Sequence, residues 1–139
     1  MGSQACSGRI HMSDEYKTIW SSTTTRVEKD WGFEQILGSL STITAKVLHL
    51  EAGKSTSLKY YKNKNEVLFL RKGEIKLEYD SEKYHWQPAE RTLKQKVLIA
   101  GDVIYVQSSC PYKITAMSDS EIVEIGDNRH DSSVKIEES

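Results

Sequence analysis

Within Gly53–Gly73 the chain sets Lys59, Tyr61, Lys64 and Glu66 close together, and Tyr112 follows on a later apolar run. Lysine brings positive charge, tyrosine a hydroxyl backed by an apolar ring, and glutamate an acceptor or base. Such a set suits an anionic or polyhydroxylated small molecule. Lys59 and Tyr61 stand at i and i+2, so on a strand both leave the same face. Lys46 and Lys64 are the further basic residues expected near them. Each residue also has a plainer use. Lys59 and Glu66 can pair across a hairpin, and Tyr61 and Tyr112 can serve as core filler. Trp31 suits core or rim packing, while His49, His85 and His130 fall on separate segments and suit surface positions. Lys54, Lys62, Arg71 and Lys72 extend the basic cluster; it can attract phosphate, or be solvated hairpin charge that discourages strand aggregation.

The elements that must position these residues are short strands. Ile43–Leu50 alternates, with Ile43, Ala45, Val47 and His49 on one face and Thr44, Lys46, Leu48 and Leu50 on the other. Further strands are expected over Ser57–Tyr61, Val67–Leu70, Glu74–Tyr79, Val97–Ala100, Val103–Val106, Tyr112–Ala116 and Glu121–Ile125, with Ile75, Leu77 and Tyr79 sharing a face. Polar turns such as Lys62–Asn65 and glycines at 53, 73 and 101 punctuate them. Only Asp14–Trp20 suggests a brief helix. Asp80–Lys96, with His85, Trp86 and Pro88, reads as a long hairpin excursion at a barrel rim, and Asp131–Ser139 as a partly extended or disordered tail. Runs this short and regular indicate an all-β antiparallel sandwich or barrel.

Composition narrows the class. The chain's 139 residues suffice for one domain with a real core, and its 37% apolar and 28% charged fractions are those of a globular protein. A formal charge of -1 gives no overall bias toward nucleic acid or membrane. No apolar run approaches a bilayer span, and no secretory signal is evident. Residues 1–12 have the character of an expression leader, followed by a segment 13–25, a barrel over 26–130 and the tail 131–139. Cys110 is then the one native thiol expected, a small filler in a reducing, cytoplasmic setting.

The segment Gly53–Gly73 resembles the first cupin motif in spacing. Gly53, Glu66 and Gly73 fall on their places, while Lys59 and Tyr61 stand at the two histidine positions. Gly101-Asp102 resembles the start of the second motif, with Gln107 and Ser109 at its usual Pro and Gly and Tyr112 at its histidine. More narrowly, Asp30-Trp31-Gly32, Lys46, Ser57-Leu58, Glu66 and the tail from Asp131 resemble the cupin domain of type II mannose-6-phosphate isomerases. Tyr61, Val67 and Tyr112 stand where that pattern has histidine, and Lys64 where it has arginine. The resemblance implies a single antiparallel jelly-roll barrel of the RmlC-like kind, convergence of the two motifs at one end of it, and a homodimer.

A divalent metal in such an isomerase polarises a carbonyl and requires three or four imidazole or carboxylate ligands. Glu66 alone does not supply them, and Lys59 repels a cation, so neither metal nor other cofactor is expected. The function expected is a metal-free cupin binding a sugar phosphate or similar ligand through Lys46, Lys59, Tyr61, Lys64, Glu66 and Tyr112. Two alternatives stand beside it. One is a metal-independent sugar-phosphate isomerase or epimerase, with Glu66 moving the proton and Lys59 stabilising the enediolate. The other is a structural barrel with a filled pocket that acts through dimerisation.

Overall fold

The computed structural model describes residues 17–82, 93–127 and 133–137. They form eleven strands in two antiparallel sheets, with no helix among the described residues. The strands are β1 (Thr25–Lys29), β2 (Gly32–Leu40), β3 (Ile43–Leu50), β4 (Leu58–Tyr61), β5 (Glu66–Lys72), β6 (Glu74–Tyr79), β7 (Lys94–Ile99), β8 (Val103–Val106), β9 (Tyr112–Ala116), β10 (Ser120–Asp127) and β11 (Ser133–Glu137). One sheet runs β1-β2-β3-β10-β5-β8 and the other β11-β4-β9-β6-β7. Within this order the strands β3-β10-β5-β8 and β4-β9-β6-β7 make the two interleaved sheets of a jelly roll, as the cupin resemblance implied. The β1–β2 hairpin extends one sheet, and β11 extends the other.

Period-two patterning builds both inner faces. On β5 the inward residues are Glu66, Leu68 and Leu70, and Val67 and Phe69 point outward. On β6 Ile75 and Leu77 turn inward, as expected from their alternation. Leu58, Leu68, Leu70, Ile75, Ile114 and Ile122 are completely buried; each contributes roughly 1.5–3 kcal/mol through burial. Trp31 joins this core, as does Tyr112. The glycine at 73 is required by a close approach. Its φ is 94°, and a Cβ there would lie 2.3 Å from the Ser120 hydroxyl.

Three expectations need adjustment or narrowing. Lys17–Trp20 carry no regular structure, so the helix over Asp14–Trp20 is not formed in its described part. A run of seven residues is too short to offset the cost of helix nucleation by its own hydrogen bonds. The described part of the tail, Ser133–Glu137, takes the extended of the two forms expected: β11 pairs with β4, setting Ser133 beside Tyr61 and Lys135 beside Lys59. Thr25–Lys29 and Gly32–Leu40 form a hairpin that the alternation did not single out. Residues 1–12, expected to be a leader, most of the segment 80–96 expected as a hairpin excursion, with His85, Trp86 and Pro88, and His130 lie outside the described residues. No helix among the described residues is long and apolar enough to cross a membrane.

Candidate functional site

At one end of the barrel the inner face turns from apolar to charged. The same alternation that points Leu48 and Leu50 inward on β3 also points Lys46 inward. On β10 it carries Ile122 and then Glu124 inward, and on β5 it begins with Glu66. Register brings these together: Glu124 lies opposite Lys46, and Gly126 opposite Glu66. Glu34 on β2 completes the group. Glu66 and Glu124 are only 3% and 4% exposed.

Two lysines stitch the carboxylates. Lys64 Nζ sits 3.2 Å from Glu66 Oε2 and 3.3 Å from Glu124 Oε2. Lys46 Nζ donates to Glu34 Oε2 at 3.1 Å and lies 3.9 Å from Glu124 Oε2. Lys64 reaches inward from the turn before β5 because position 126 is glycine; a Cβ there would stand 2.8 Å from Lys64 Cε. Asn65 clamps that turn. Its backbone and side-chain N–H groups donate to Asp127 Oδ2 at 3.0 and 3.3 Å, and its Oδ1 accepts from the Ser108 N–H at 2.9 Å. The loop that follows holds Ser109 at φ 71°, a left-handed conformation, at the place where the cupin motif usually has glycine.

Tyr112, opposite Lys59 in register, donates its hydroxyl to Glu66 Oε1 at 2.7 Å. Lys59 Nζ lies 5.6 Å from the centre of the Tyr112 ring and 6.0 Å from that of Tyr61. Lys64 Nζ is 4.7 Å from the Tyr61 ring. The hairpin pair expected between Lys59 and Glu66 is not formed: Lys64 takes Glu66. Among the described residues Lys59 has no carboxylate within ion-pair distance. Lys46, Lys59, Tyr61, Lys64, Glu66 and Tyr112 are thus brought to one end of the barrel. Of the remaining basic cluster, Arg71 pairs with Glu121 at 2.6 Å, and Lys54, Lys62 and Lys72 are exposed.

Burial and charge set the protonation of this group. Desolvation, followed by the charge of Glu66, pushes the Glu124 carboxyl up to about 7. Burial acts the same way on Glu66. Hydrogen bonds from Glu124 and Tyr112, with the charge on Lys64, outweigh it and hold Glu66 below the ordinary carboxylate value. The buried Glu66 Oε2 has no aligned N–H or O–H donor among the described residues. A proton shared with Glu124 is the donor available to the pair. Below about pH 7 the two buried carboxyls therefore share one proton, which is lost as pH rises through that value. Lys64 stays charged: burial opposes this, but the carboxylates Glu124 and Glu66 raise its pKa. Burial and the charge of Glu66 push Tyr61 up to about 12 and raise Tyr112 well above the ordinary tyrosine value, so both remain hydroxyl donors. Lys59 is lowered, chiefly by burial, against the pull of Glu66 and Glu124.

Sequence reasoning missed Glu34 and Glu124. The signal for Glu124 was present: it stands two residues after Ile122, in phase with a core strand. The Cys110 thiol is half-buried and raised by desolvation, in keeping with filler. His49 lies on the outer face, stacked on Phe33 with ring centres 4.3 Å apart and 3.1 Å from Gln35 Oε1, away from this site.

The side chains at the motif positions do not fit a divalent metal. Lys59 and Lys64 bring ammonium groups into the space, and Glu66 is already engaged by Tyr112 and Lys64. No group of three or more His, Cys, Asp or Glu that could hold a metal occurs among the described residues. What the arrangement offers is an amine with no ion-pair partner among the described residues, phenolic donors and a proton-sharing carboxyl pair. Beside it an apolar cleft of about 210 Å³, lined by Leu77, Tyr79, Leu98, Ile104, Val106 and Tyr112, runs between the two sheets.

No family model and no curated protein matches the sequence. Solved structures do match. An RmlC-like cupin from Shewanella frigidimarina is 16% identical, with a TM-score of 0.65 over 81% of this chain and 94% of its own. Oxalate decarboxylase from Bacillus subtilis is 15% identical, with a TM-score of 0.69 over 89% of this chain and 35% of its own. The capsular polysaccharide assembling protein CapF from Staphylococcus aureus is 12% identical, with a TM-score of 0.65 over 84% of this chain and 35% of its own. This chain thus spans about a third of the last two proteins. At identities this low the shared property is architecture, and the chain has the cupin fold.

Proposed function

We propose that the barrel binds a small anionic, polyhydroxylated molecule of the sugar-phosphate class at its charged end. The observation that carries this is the inequality among three inward lysines. Lys46 and Lys64 are neutralised by Glu34, Glu66 and Glu124, while Lys59 has no ion-pair partner among the described residues. An anion beside Lys59 supplies the missing countercharge, and Tyr61 adds a phenolic hydroxyl for ligand oxygens. The apolar cleft behind Tyr112 suits the carbon face of a sugar. The resemblance to mannose-6-phosphate isomerases names the first ligand to try, and the capsular polysaccharide protein of the same fold is a further sugar-linked example.

The test is a thermal-shift series with mannose 6-phosphate and related phosphosugars. A ligand present at about 100 times its Kd stabilises the fold by about 2.7 kcal/mol. A shift that vanishes in Lys59→Met supports the reading; no shift across a broad phosphosugar panel overturns it. A second reading, metal-independent isomerisation, draws support from the proton that Glu66 and Glu124 share. A base need only carry one proton between adjacent carbons. It predicts conversion of mannose 6-phosphate to fructose 6-phosphate that survives chelator and is lost in Glu66→Gln.

Two copies are inferred to pair through the outer face of the six-stranded sheet. There Tyr105, Val67, Ile125 and Ala45 form one cross-strand row, and Val103, Phe69, Val123 and Val47 a second. The charges Arg71 with Glu121 and Arg26 with Glu28 on the same sheet are already paired within the chain, which favours an apolar partner surface over a charged one.

A further inference from the structure

We propose that Lys59 is an imine-forming amine, and that the ligand class of this site includes an open-chain aldehyde or ketone. The inference rests on the sugar-phosphate reading and deepens it. Its basis is geometric. Lys59 sits on β4 at the half-buried wall of the charged end, with its Nζ near the rings of Tyr61 and Tyr112. The other two inward lysines, Lys46 and Lys64, are held by carboxylates at 3.1–3.3 Å. Lys59 has no such anchor among the described residues. Burial lowers its pKa, with Lys46 adding to the effect and Glu66, Glu124 and Glu34 opposing it. A desolvated lysine beside other cationic groups is the usual setting of a nucleophilic amine.

The neighbouring carboxyls supply the rest of the chemistry. The neutral Lys59 amine attacks the carbonyl carbon, forming the C–N bond, while the C=O pair moves to oxygen. That oxygen takes the proton held by the Glu66–Glu124 pair, and the pair recovers a proton from the ammonium nitrogen. The pair then protonates the carbinolamine hydroxyl, the C–O bond breaks, and water leaves. The nitrogen lone pair closes the C=N bond. Amine, carbonyl and the one proton become iminium and water, leaving the carboxyl pair one proton poorer. No oxidant or reductant is required.

The experiment treats the full chain at pH 7 with glyceraldehyde 3-phosphate and cyanoborohydride, followed by intact mass and peptide mapping. The expected result is one reduced adduct at Lys59, formed at least tenfold faster than at any other lysine. It is abolished in Lys59→Arg, which keeps the charge but cannot form the imine, and unchanged in Lys62→Arg on the exposed turn. Circular dichroism and melting of Lys59→Arg verify that it is folded. Labelling spread over many lysines, or undiminished in Lys59→Arg, overturns the proposal. A parallel thermal shift with glucitol 6-phosphate, which has no carbonyl, separates the two claims. A shift without any adduct leaves Lys59 as a binding cation and overturns only the imine. Neither shift nor adduct overturns both.

Discussion

The two faces of the six-stranded sheet invert the usual order of a soluble β-sheet near the charged end. Inside stand Lys46, Glu66 and Glu124; outside, one residue along each strand, stand Val67, Phe69, Val123 and Ile125. Tyr105 on the outer face is 77% exposed, whereas Glu66 on the inner face is 3% exposed. The hydrophobic effect alone would exchange these faces, since a one-residue register slip moves every side chain across the sheet. It does not happen because the inner face also carries Leu48, Leu50, Leu68, Leu70 and Ile122, whose burial outweighs the cost of the polar end. The apolar half of each strand therefore fixes the register, and the charged half is carried inward with it. Ion pairs that replace apolar packing add little stability on balance, so the apolar residues and not the cluster hold the sheet in this register.

That contrast can be broken most strongly from inside. Lys64→Met keeps the stem volume and removes the cation shared by Glu66 and Glu124. It should cost about 3 kcal/mol in urea unfolding at pH 7.5, because an uncompensated buried carboxylate remains. A loss under 1 kcal/mol would mean that water solvates the cluster.

The next effect is a matter of pH. The folded Glu124 carboxyl is raised to about 7, so its contribution is fully present below the unfolded carboxylate value and fades as pH rises through 7. Glutamine at this position is neutral throughout. Relative to wild type, Glu124→Gln should therefore gain on the order of 2 kcal/mol between pH 5 and pH 8. Parallel melting curves for the two proteins across that range would show that the carboxyl is not held protonated.

A smaller change sharpens the loop beneath the charged end. Ser109 occupies a left-handed conformation at the cupin glycine position. Ser109→Gly should stabilise the protein by roughly 0.5–1 kcal/mol, since glycine adopts φ near 71° without Cβ strain. Thermal unfolding measures it, and a loss of stability would show that the Ser109 hydroxyl is needed where it meets the Lys62 carbonyl.

The smallest effect on stability belongs to the outer face. Tyr105→Lys should alter monomer stability by no more than about 0.5 kcal/mol, as exposed substitutions do. Light scattering should nonetheless show a shift from dimer to monomer at micromolar concentration. An unchanged mass would remove this face as the pairing surface.

Much of this was legible in the residues, unevenly. Ile43–Leu50, Glu74–Tyr79, Val103–Val106 and Tyr112–Ala116 emerge with the boundaries their alternation gives. Gly53 and Gly73 both adopt the positive φ their turn positions require. The charged end was only half legible. Lys59, Tyr61, Lys64, Glu66 and Tyr112 were found through their places in the cupin-like motifs, whose convergence the resemblance implied; Glu34 and Glu124 were not, because each reaches the site through cross-strand pairing with distant segments.

By itself the sequence determined most of the strands, an antiparallel sandwich or barrel and the inward phase of the alternating runs, because a period of two is written in neighbouring residues; the jelly-roll class came from the cupin resemblance. Only the tertiary structure decided which lysine meets which carboxylate. Lys64 took Glu66 because Gly126, a residue of another strand, leaves room for its stem, and Lys59 was left without an ion-pair partner among the described residues. Charge pairing depends on distances of a few ångströms between segments far apart in the chain, and those distances exist only once the sheets have closed.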